Sequence, residues 1–485
     1  MTEAATAPSP ASPPAAEGDA GANPLSFDPL PLAPATLENL RQLGYMQMTP
    51  IQAASLPPAL AGHDLIAQAK TGSGKTAAFA LSLLARLNPR RFAVQALVLC
   101  PTRELADQVT QEIRRLARGA DNIKVLTLCG GSTLRPQISS LEHGAHVVVG
   151  TPGRILDHLQ RASLDLSALD TLVLDEADRM LDMGFYDDIA AVAKACPKTR
   201  QTLLFSATYP EGIARLSQAF LRQPQRITLP EQHAPGKIRQ RFYEVDPARR
   251  LAAVGLLLKH YCPVSTLAFC NTRQQCRDLL QVLRAEGFVA LALHGEMEQR
   301  ERDQVLVQFA NRSCSVLVAT DVAARGLDID QLEAVINVDV TPDTEVHVHR
   351  IGRTGRVDQA GWAFSLVSGK QMARVDNIEK ALGHEIEWHS LDELQPASGP
   401  PLQPPMATLQ ILGGRKEKIR PGDILGALTG EAGLRKEQVG KIKVTDTSSY
   451  VAVERGIARD AVSKLSAGTL KGKRVKVHLL PDRAD

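Results

Sequence analysis

Two short segments place a lysine and a carboxylate where phosphate chemistry needs them. The run Ala69-Lys70-Thr71-Gly72-Ser73-Gly74-Lys75-Thr76 ends on a lysine and a hydroxyl, and Asp175-Glu176-Ala177-Asp178 follows the apolar run Thr171-Leu172-Val173-Leu174. A Gly-rich loop aims backbone N–H groups at an anion, and the dipole of the helix it opens adds to the attraction. Gly72 and Gly74 let the backbone approach phosphate without a Cβ clash. In this pattern Thr71 to Gly74 cradle the phosphates, and Lys75 reaches the β- and γ-phosphates of a nucleoside triphosphate. Thr76 and Asp175 hold Mg2+, and Glu176 orients or deprotonates an attacking water. A Gly/Ser-rich turn can arise by chance, and acidic residues often sit solvated at strand ends. The two segments together leave little room for either reading.

Such a loop works only between a strand and a helix. Asp64-Leu65-Ile66-Ala67 reads as a buried strand, and Thr76 to Leu87 has helical spacing with Phe79, Leu83, Leu84 and Leu87 on one face. Further strands are expected at Ala96–Cys100, Val125–Cys129, His146–Gly150, Thr171–Leu174 and Thr202–Phe205, separated by helical patterns. This alternation predicts an α/β unit with a doubly wound parallel sheet over 25–230. A second such unit is expected over 241–390, with strands near Ser265–Phe269, Ala290–Leu293, Ser315–Ala319 and Ala334–Val338. Residues 231–240 read as a linker, and 391–405, Pro-rich from Pro396 onward, as another. From 406 to 480 the order is βαββαβ, that of an RNA-recognition-motif fold.

Composition narrows the setting. A chain of 485 residues has room for about three domains. No apolar run is long enough to span a membrane. Residues 1–24 are Ala/Pro-rich without Lys or Arg, which suits a disordered tail and not a secretory signal. The seven cysteines form no Cys-x-x-Cys pair, which argues against zinc and disulfides and fits a reducing cytoplasm. Net charge is +3, yet residues 404–485 carry 16 Lys/Arg against 9 Asp/Glu, a balance of +7, leaving −4 for the remainder. A basic module appended to a near-neutral motor suits an anionic partner.

An isolated Phe27, the run Gly44-Tyr45-Met46-Gln47-Met48-Thr49-Pro50-Ile51-Gln52, and an ordered series of short motifs complete the pattern. The series is Pro101-Thr102-Arg103-Glu104-Leu105-Ala106, Gly130-Gly131, Thr151-Pro152-Gly153-Arg154, Ser206-Ala207-Thr208, Asn271-Thr272, His294-Gly295, Gln299 with Arg302, Thr320-Asp321 through Asp328, and His349-Arg350-Ile351-Gly352-Arg353-Thr354-Gly355-Arg356. Over about residues 27–390 the chain resembles the DEAD-box family of ATP-dependent RNA helicases. Ile424-Leu425-Gly426-Ala427-Leu428-Thr429-Gly430, Lys441-Ile442 and Tyr450-Val451-Ala452-Val453 resemble the C-terminal domain of its DbpA branch.

The resemblance implies two tandem RecA-like parallel-sheet domains followed by a small α+β RRM-like domain. It implies ATP and Mg2+, with Gln52 reading the adenine edge, Phe27 and Tyr45 packing near the base, and Asp328 touching the ribose. Tyr45 is equally suited to a core position. Arg353 and Arg356 become arginine fingers from the second domain, although one could instead form an interdomain salt bridge. Asp178, Ser206 and Thr208 couple the site to domain closure. Arg103, Gly130, Gly131, Thr151 and Arg154 from the first domain, with Thr272, His294, Gly295 and Thr320 from the second, contact RNA phosphate and ribose without reading sequence. The implied partner is a 23S ribosomal RNA hairpin on the immature large subunit, engaged by a cytoplasmic monomer. Tyr450 is the one aromatic in 404–485, so base stacking across the sheet is doubtful. Lys441, Lys473 and their basic neighbours suggest recognition of RNA shape, with Tyr450 as a secondary contact or a buried sheet residue. An ATP-gated RNA clamp and a DNA helicase are the rival readings.

Overall fold

The computed structural model describes residues 25–69, 72–120, 122–229, 238–324, 332–355, 360–430 and 432–482. The expected tail over 1–24, and Thr71, Asp328 and Arg356, lie outside the described residues. The chain forms two compact units, Met1–Glu231 and Gln232–Asp485.

The first unit holds seven strands: β1 (Leu65–Gln68), β2 (Ala96–Leu99), β3 (Val125–Leu128), β4 (Val147–Gly150), β5 (Thr171–Leu174), β6 (Gln201–Ser206) and β7 (Gln225–Thr228). They pair in parallel in the order β3-β4-β2-β5-β6-β1-β7. The inner strands are short apolar runs, such as Ala-Leu-Val-Leu in β2 and Thr-Leu-Val-Leu in β5, because helices cover both faces. β7 is largely polar because it is an edge strand, and the sequence pattern does not single it out.

The second unit opens with another seven-stranded parallel sheet. Its strands are β8 (Ile238–Glu244), β9 (Thr266–Cys270), β10 (Ala290–Leu293), β11 (Val316–Thr320), β12 (Ala334–Asn337), β13 (Gly361–Val367) and β14 (Trp388–His389), in the order β10-β11-β9-β12-β13-β8-β14. Ile238, Arg239 and Gln240, read above as the end of a linker, instead open β8. They pair with Gly361, Trp362 and Ala363, and the Arg239 and Arg241 guanidinium groups lie over the Trp362 ring.

The tail forms a four-stranded antiparallel sheet of β15 (Met406–Ile411), β16 (Val439–Val444), β17 (Ser449–Glu454) and β18 (Val477–Leu479), ordered β16-β17-β15-β18. Helices Pro421–Thr429 and Ala458–Ala467 supply Ile424, Leu428, Ala461 and Leu465 to a core with Leu409, Ile411, Val451 and Val453. On the opposite face the two central strands are also buried, while Lys443 and His478 on the flanking strands are exposed. Tyr450 packs with Leu480 against Val307 on helix Gln299–Ala310 of the parallel-sheet domain. Thr408 Oγ1 accepts from Asn311 Nδ2 at 3.1 Å and bonds Ser313 Oγ at 2.7 Å. Arg455 donates to the Pro404 and Ser313 carbonyls at 2.7 and 3.1 Å. Tyr450, 5 % exposed, is therefore a docking residue, not the RNA contact that the sequence also allowed.

Candidate nucleotide and RNA site

In a parallel sheet every strand ends on the same edge, so residues placed just after strands gather there. The edge of the first sheet is divided. Past β5, β6 and β1 come Asp175 to Asp178, Ser206 to Thr208 and the Gly-rich loop. Past β3, β4 and β2 come Gly130-Gly131, Thr151 to Arg154 and Arg103. The phosphate half and the half expected to grip RNA are thus neighbours on one scaffold.

The loop after β1 leads into α1 (Lys75–Arg86), with Gly74 as N-cap at φ 93°. A Cβ on Gly74 would lie 2.5 Å from Gln52 Nε2 and 2.8 Å from Thr49 Oγ1, so only glycine fits. Gln52 is buried, with Nε2 donating to the Gly74 carbonyl at 3.0 Å and Oε1 accepting from Thr49 N at 2.9 Å. The residue expected to read adenine thus also braces the phosphate loop, with one side-chain N–H and one lone pair engaged there. Phe27 is buried in the core of this unit. Tyr45 is half-buried against the same core, with its hydroxyl donating to Glu112 Oε1 at 2.5 Å.

Lys75 is 5 % exposed, and its Nζ has no hydrogen-bond partner among the described residues. Burying an ammonium without a bonded partner is costly, and a phosphate is the group such a position suits. Asp175, 3 % exposed, directly follows β5. Burial pushes its carboxyl up to about 7; Lys75 opposes the shift and Glu176 adds to it. Glu176 takes the left-handed conformation at φ 50°, uncommon for a non-glycine residue, and opens helix Ala177–Asp182. Its Oε2 lies 3.7 Å from Arg179 Nε. Asp178 Oδ2 accepts from Ala207 N at 3.0 Å, Thr208 N at 2.9 Å and Thr208 Oγ1 at 3.1 Å. Burial works against this carboxylate, but the Thr208 N–H and Lys75 hold it below its ordinary range. The acidic segment and Ser206-Ala207-Thr208 are therefore joined, whereas Ser206 Oγ is buried without a hydrogen-bond partner among the described residues.

On the RNA half, Arg154 donates from both Nη atoms to the Ser132 carbonyl at 3.1 Å, which ties it to the loop of Gly130 and Gly131. Thr151 precedes helix Pro152–Gln160 as its N-cap. Arg103 opens helix Arg103–Leu116, 3.9 Å from Asp107. In the second unit, Thr272 caps helix Arg273–Ala285, accepting from Gln275 N. His294 and Gly295 follow β10, and Thr320 ends β11. Burial, then Arg277, lowers the His294 pKa, and its Nδ1 is buried without a hydrogen-bond partner among the described residues. Lys441 on edge strand β16 and Lys473 before β18 are exposed.

Arg350 was legible in the sequence only as part of its motif. At 2 % exposure it spends five N–H groups on five acceptors. Nε and Nη2 grip the two Asp321 oxygens at 2.7 and 2.6 Å, Nη1 meets Asn337 Oδ1 at 3.2 Å and the Asp339 carbonyl at 2.8 Å, and Nη2 meets Asn271 Oδ1 at 3.0 Å. It thus locks helix Thr344–Ile351, which leads into Arg353, to the ends of β9, β11 and β12. Arg353 is buried just beyond that helix.

A phosphate loop and acidic strand end on one parallel sheet, a second parallel sheet bearing buried arginines, and an appended antiparallel domain define a nucleotide-hydrolysing motor with an RNA-binding module. Residues 49–216 match the DEAD/DEAH box helicase family, 250–358 the helicase conserved C-terminal domain, and 408–479 the DbpA RNA binding domain. The chain is 51 % identical over 451 residues to the ATP-dependent RNA helicase DbpA of Escherichia coli, covering 93 % of this chain and 98 % of that protein. It is 41 % identical over 363 residues to the DEAD-box ATP-dependent RNA helicase CshA of Bacillus cereus, covering 75 % and 69 %. S. cerevisiae Dbp5 bound to RNA and ADP BeF3 superposes with a TM-score of 0.69 at 31 % identity, covering 76 % of this chain and 96 % of that one. The chain belongs to the DEAD-box family of ATP-dependent RNA helicases, in its DbpA branch. It is accordingly an RNA-binding enzyme that hydrolyses ATP.

Proposed function

We propose that this helicase separates short RNA duplexes locally on a 23S ribosomal RNA hairpin during assembly of the large ribosomal subunit, acting as a cytoplasmic monomer. The observation that carries the catalytic part is the buried Lys75 ammonium beside Asp175 and Asp178. Among the described residues its Nζ is without a bonded partner, and Gly72 and Gly74, both at positive φ, precede it in the loop. Asp175 and the Thr76 hydroxyl would hold Mg2+, one carboxylate and one hydroxyl being usual where phosphates and waters supply the other ligands. When bound, that ion neutralises charge on the β- and γ-phosphates. Lys75 holds the same oxygens, and Glu176 orients the water that attacks the γ-phosphorus and accepts its proton, as the bond from that phosphorus to the β–γ bridging oxygen breaks and ADP leaves. We assign Arg353 and Arg356 to the charge that develops on the γ-phosphate, and Asp328 to the ribose. The domain limits are taken as 25–230, 238–390 and 406–480, the second extended to include the start of β8.

The ribosomal target rests on the DbpA-type tail and on its charge. Residues 412–420, 445–448 and 470–476 meet at one end of the antiparallel sheet. There Arg415 N donates to the Thr445 carbonyl at 2.9 Å, Leu412 N to the Lys476 carbonyl at 2.9 Å, and Lys471 Nζ to the Lys418 carbonyl at 2.7 Å. This end gathers Arg415, Lys416, Lys418, Arg420, Lys471, Lys473, Arg474 and Lys476, which suits a folded RNA read by shape. Family membership and seven free cysteines among the described residues support the cytoplasm. The test is steady-state ATP hydrolysis with and without a 23S hairpin fragment. Sustained stimulation by the hairpin, abolished by Glu176→Gln, is expected. Equal stimulation by a hairpin of unrelated sequence and shape would remove the ribosomal assignment, and a single turnover without sustained hydrolysis would favour an ATP-gated clamp.

A further inference from the structure

Gln137 sits on helix Leu134–Glu142, outside every motif named above. Its side-chain amide is nevertheless saturated by groups from two segments expected to grip RNA, the Gly130-Gly131 loop and helix Pro152–Gln160. Nε2 donates to the Cys129 carbonyl at 3.0 Å and to Ser132 Oγ at 2.8 Å, on either side of Gly130-Gly131. Oε1 accepts from Arg154 Nη1 at 3.0 Å and meets His158 Nε2 at 2.9 Å. His158 is fully buried and meets Ser163 Oγ through Nδ1 at 2.8 Å. Arginine has only donors, so the atom facing it must be the amide oxygen, and His158 Nε2 must carry a proton. Flipping the amide would set N–H groups against Arg154 and a carbonyl against the Cys129 carbonyl. Among the described residues, these bonds leave Arg154 one Nη2–H for an outside acceptor, while its Nε faces Asp157 Oδ2 at 3.7 Å.

We propose that Gln137, oriented by His158, is a positioning residue for RNA binding: it clamps Arg154 to the Gly130-Gly131 loop, so that guanidinium and loop present to one backbone phosphate as a unit. This rests on the reading of Arg154, Gly130 and Gly131 as RNA contacts, and the experiment separates the two.

Anisotropy of a fluorescent single-stranded RNA is measured on the full chain with a non-hydrolysable ATP analogue, over a salt series. The chain, Arg154→Ala, Gln137→Leu, Gln137→Glu and the Arg154→Ala/Gln137→Leu double variant are compared, with thermal melting of each. Arg154→Ala weakens binding roughly tenfold and lowers the salt slope by about 0.7, the loss of one single-strand phosphate contact. Gln137→Leu gives a similar loss and slope, and the double variant is no weaker than the worse single one. Gln137→Glu keeps acceptors for Arg154 and His158, so it retains the slope and loses only about threefold in affinity. If Arg154→Ala weakens binding while both Gln137 variants bind fully, or the two losses simply add, the positioning role is refuted. If Arg154→Ala itself binds fully, the RNA-contact reading fails instead. Should the leucine variant not fold, a glutamate variant with a lowered slope also overturns the proposal.

Discussion

Replacing Arg350 by methionine should unfold the second parallel-sheet domain at lower denaturant while leaving the first unchanged. The substitution keeps side-chain bulk and removes all five donors. It strands the Asp321 carboxylate, Asn337 Oδ1, the Asp339 carbonyl and Asn271 Oδ1, and it removes a cation 5.1 Å above the Phe269 ring. Removing one partner of a buried pair costs about 3–5 kcal/mol. The Asp321 side chain is 25 % exposed, so water recovers part of its solvation and about 3 kcal/mol is the appropriate figure. With a urea slope of about 2 kcal/mol per M, the midpoint falls by about 1.5 M. The chain carries its own reporter, because both tryptophans, Trp362 and Trp388, lie in β13 and β14 of this sheet. Tryptophan fluorescence through a urea titration therefore follows this domain alone. Arg350→Lys should recover little, since an ammonium cannot span three strand ends as the planar fork does. Removing both charges with Asp321→Leu should restore part of the loss. A midpoint shift under about 0.3 M for Arg350→Met would mean that the network contributes nothing net, and the argument would be wrong.

The same reporter tests His347, whose two ring nitrogens lack hydrogen-bond partners among the described residues and whose pKa burial, then Arg350, lowers from 6.5 to about 4. The unfolded chain takes up this proton near pH 6.5 and the folded one near 4, so stability is full above pH 6.5 and falls as pH drops through that window, by roughly 2 kcal/mol at pH 5. His347→Phe should remove that slope, and an unchanged difference in urea midpoint between pH 7 and pH 5 would refute the assignment. Tyr450→Asp should release the tail from helix Gln299–Ala310, since it puts a carboxylate against Val307 and Leu480; limited proteolysis within 391–405 should accelerate at least tenfold, while tail amides in the Leu409 core stay protected from exchange. Reversing Lys416, Lys418 and Lys473 to glutamate should weaken hairpin binding by at least tenfold and reduce its salt slope, with the tail still docked; undiminished binding would move the RNA site elsewhere.

The phosphate chemistry was legible because it is local: a strand, a glycine-rich turn and a helix lie within one stretch of chain, and Asp175 follows a run whose burial its composition declares. The alternation of short apolar runs with helices likewise gave both parallel sheets. What stayed hidden lies in side chains whose partners come from distant segments. Arg350 bonds residues 271, 321, 337 and 339, and Gln137 bonds residues 129, 132, 154 and 158; no periodicity marks either set. The signal for Gln137 was available only as an unexplained amide seven residues past Gly130. Thr408, Gln410 and Tyr450 alternate with Leu409, Ile411 and Val451, a pattern that reads as one buried face and one wet face, yet both are buried. Period-two alternation says which side chains share a face; it does not say what lies against that face.

That second covered face decides how the tail can meet RNA. In the usual mode, bases stack on aromatics of the two central strands, and here Tyr450 is the one aromatic available. Stacking a base on it would return about 1–3 kcal/mol. To free the ring, its contacts with Val307 and Leu480 must be given up, at about 2–3 kcal/mol for an aromatic side chain of this size. The Thr408 bonds to Asn311 and Ser313, and those of Arg455 to Ser313 and Pro404, would be lost with it, each costing about 0.5–1.5 kcal/mol or more. The exchange is unfavourable by several of these increments, so the docked sheet face outcompetes a stacked base. What the tail then offers the proposed RNA partner is its exposed edge strand, where Lys441 and Lys443 lie, and the loops around Lys416, Lys418 and Lys473, lysines suited to phosphate and not to base edges. On the proposed hairpin target, selectivity would then come from the spacing of its phosphates. A hairpin of the same fold and different loop sequence should bind the tail nearly as well, and a loss of more than about tenfold on changing loop bases alone would show that base edges are read after all.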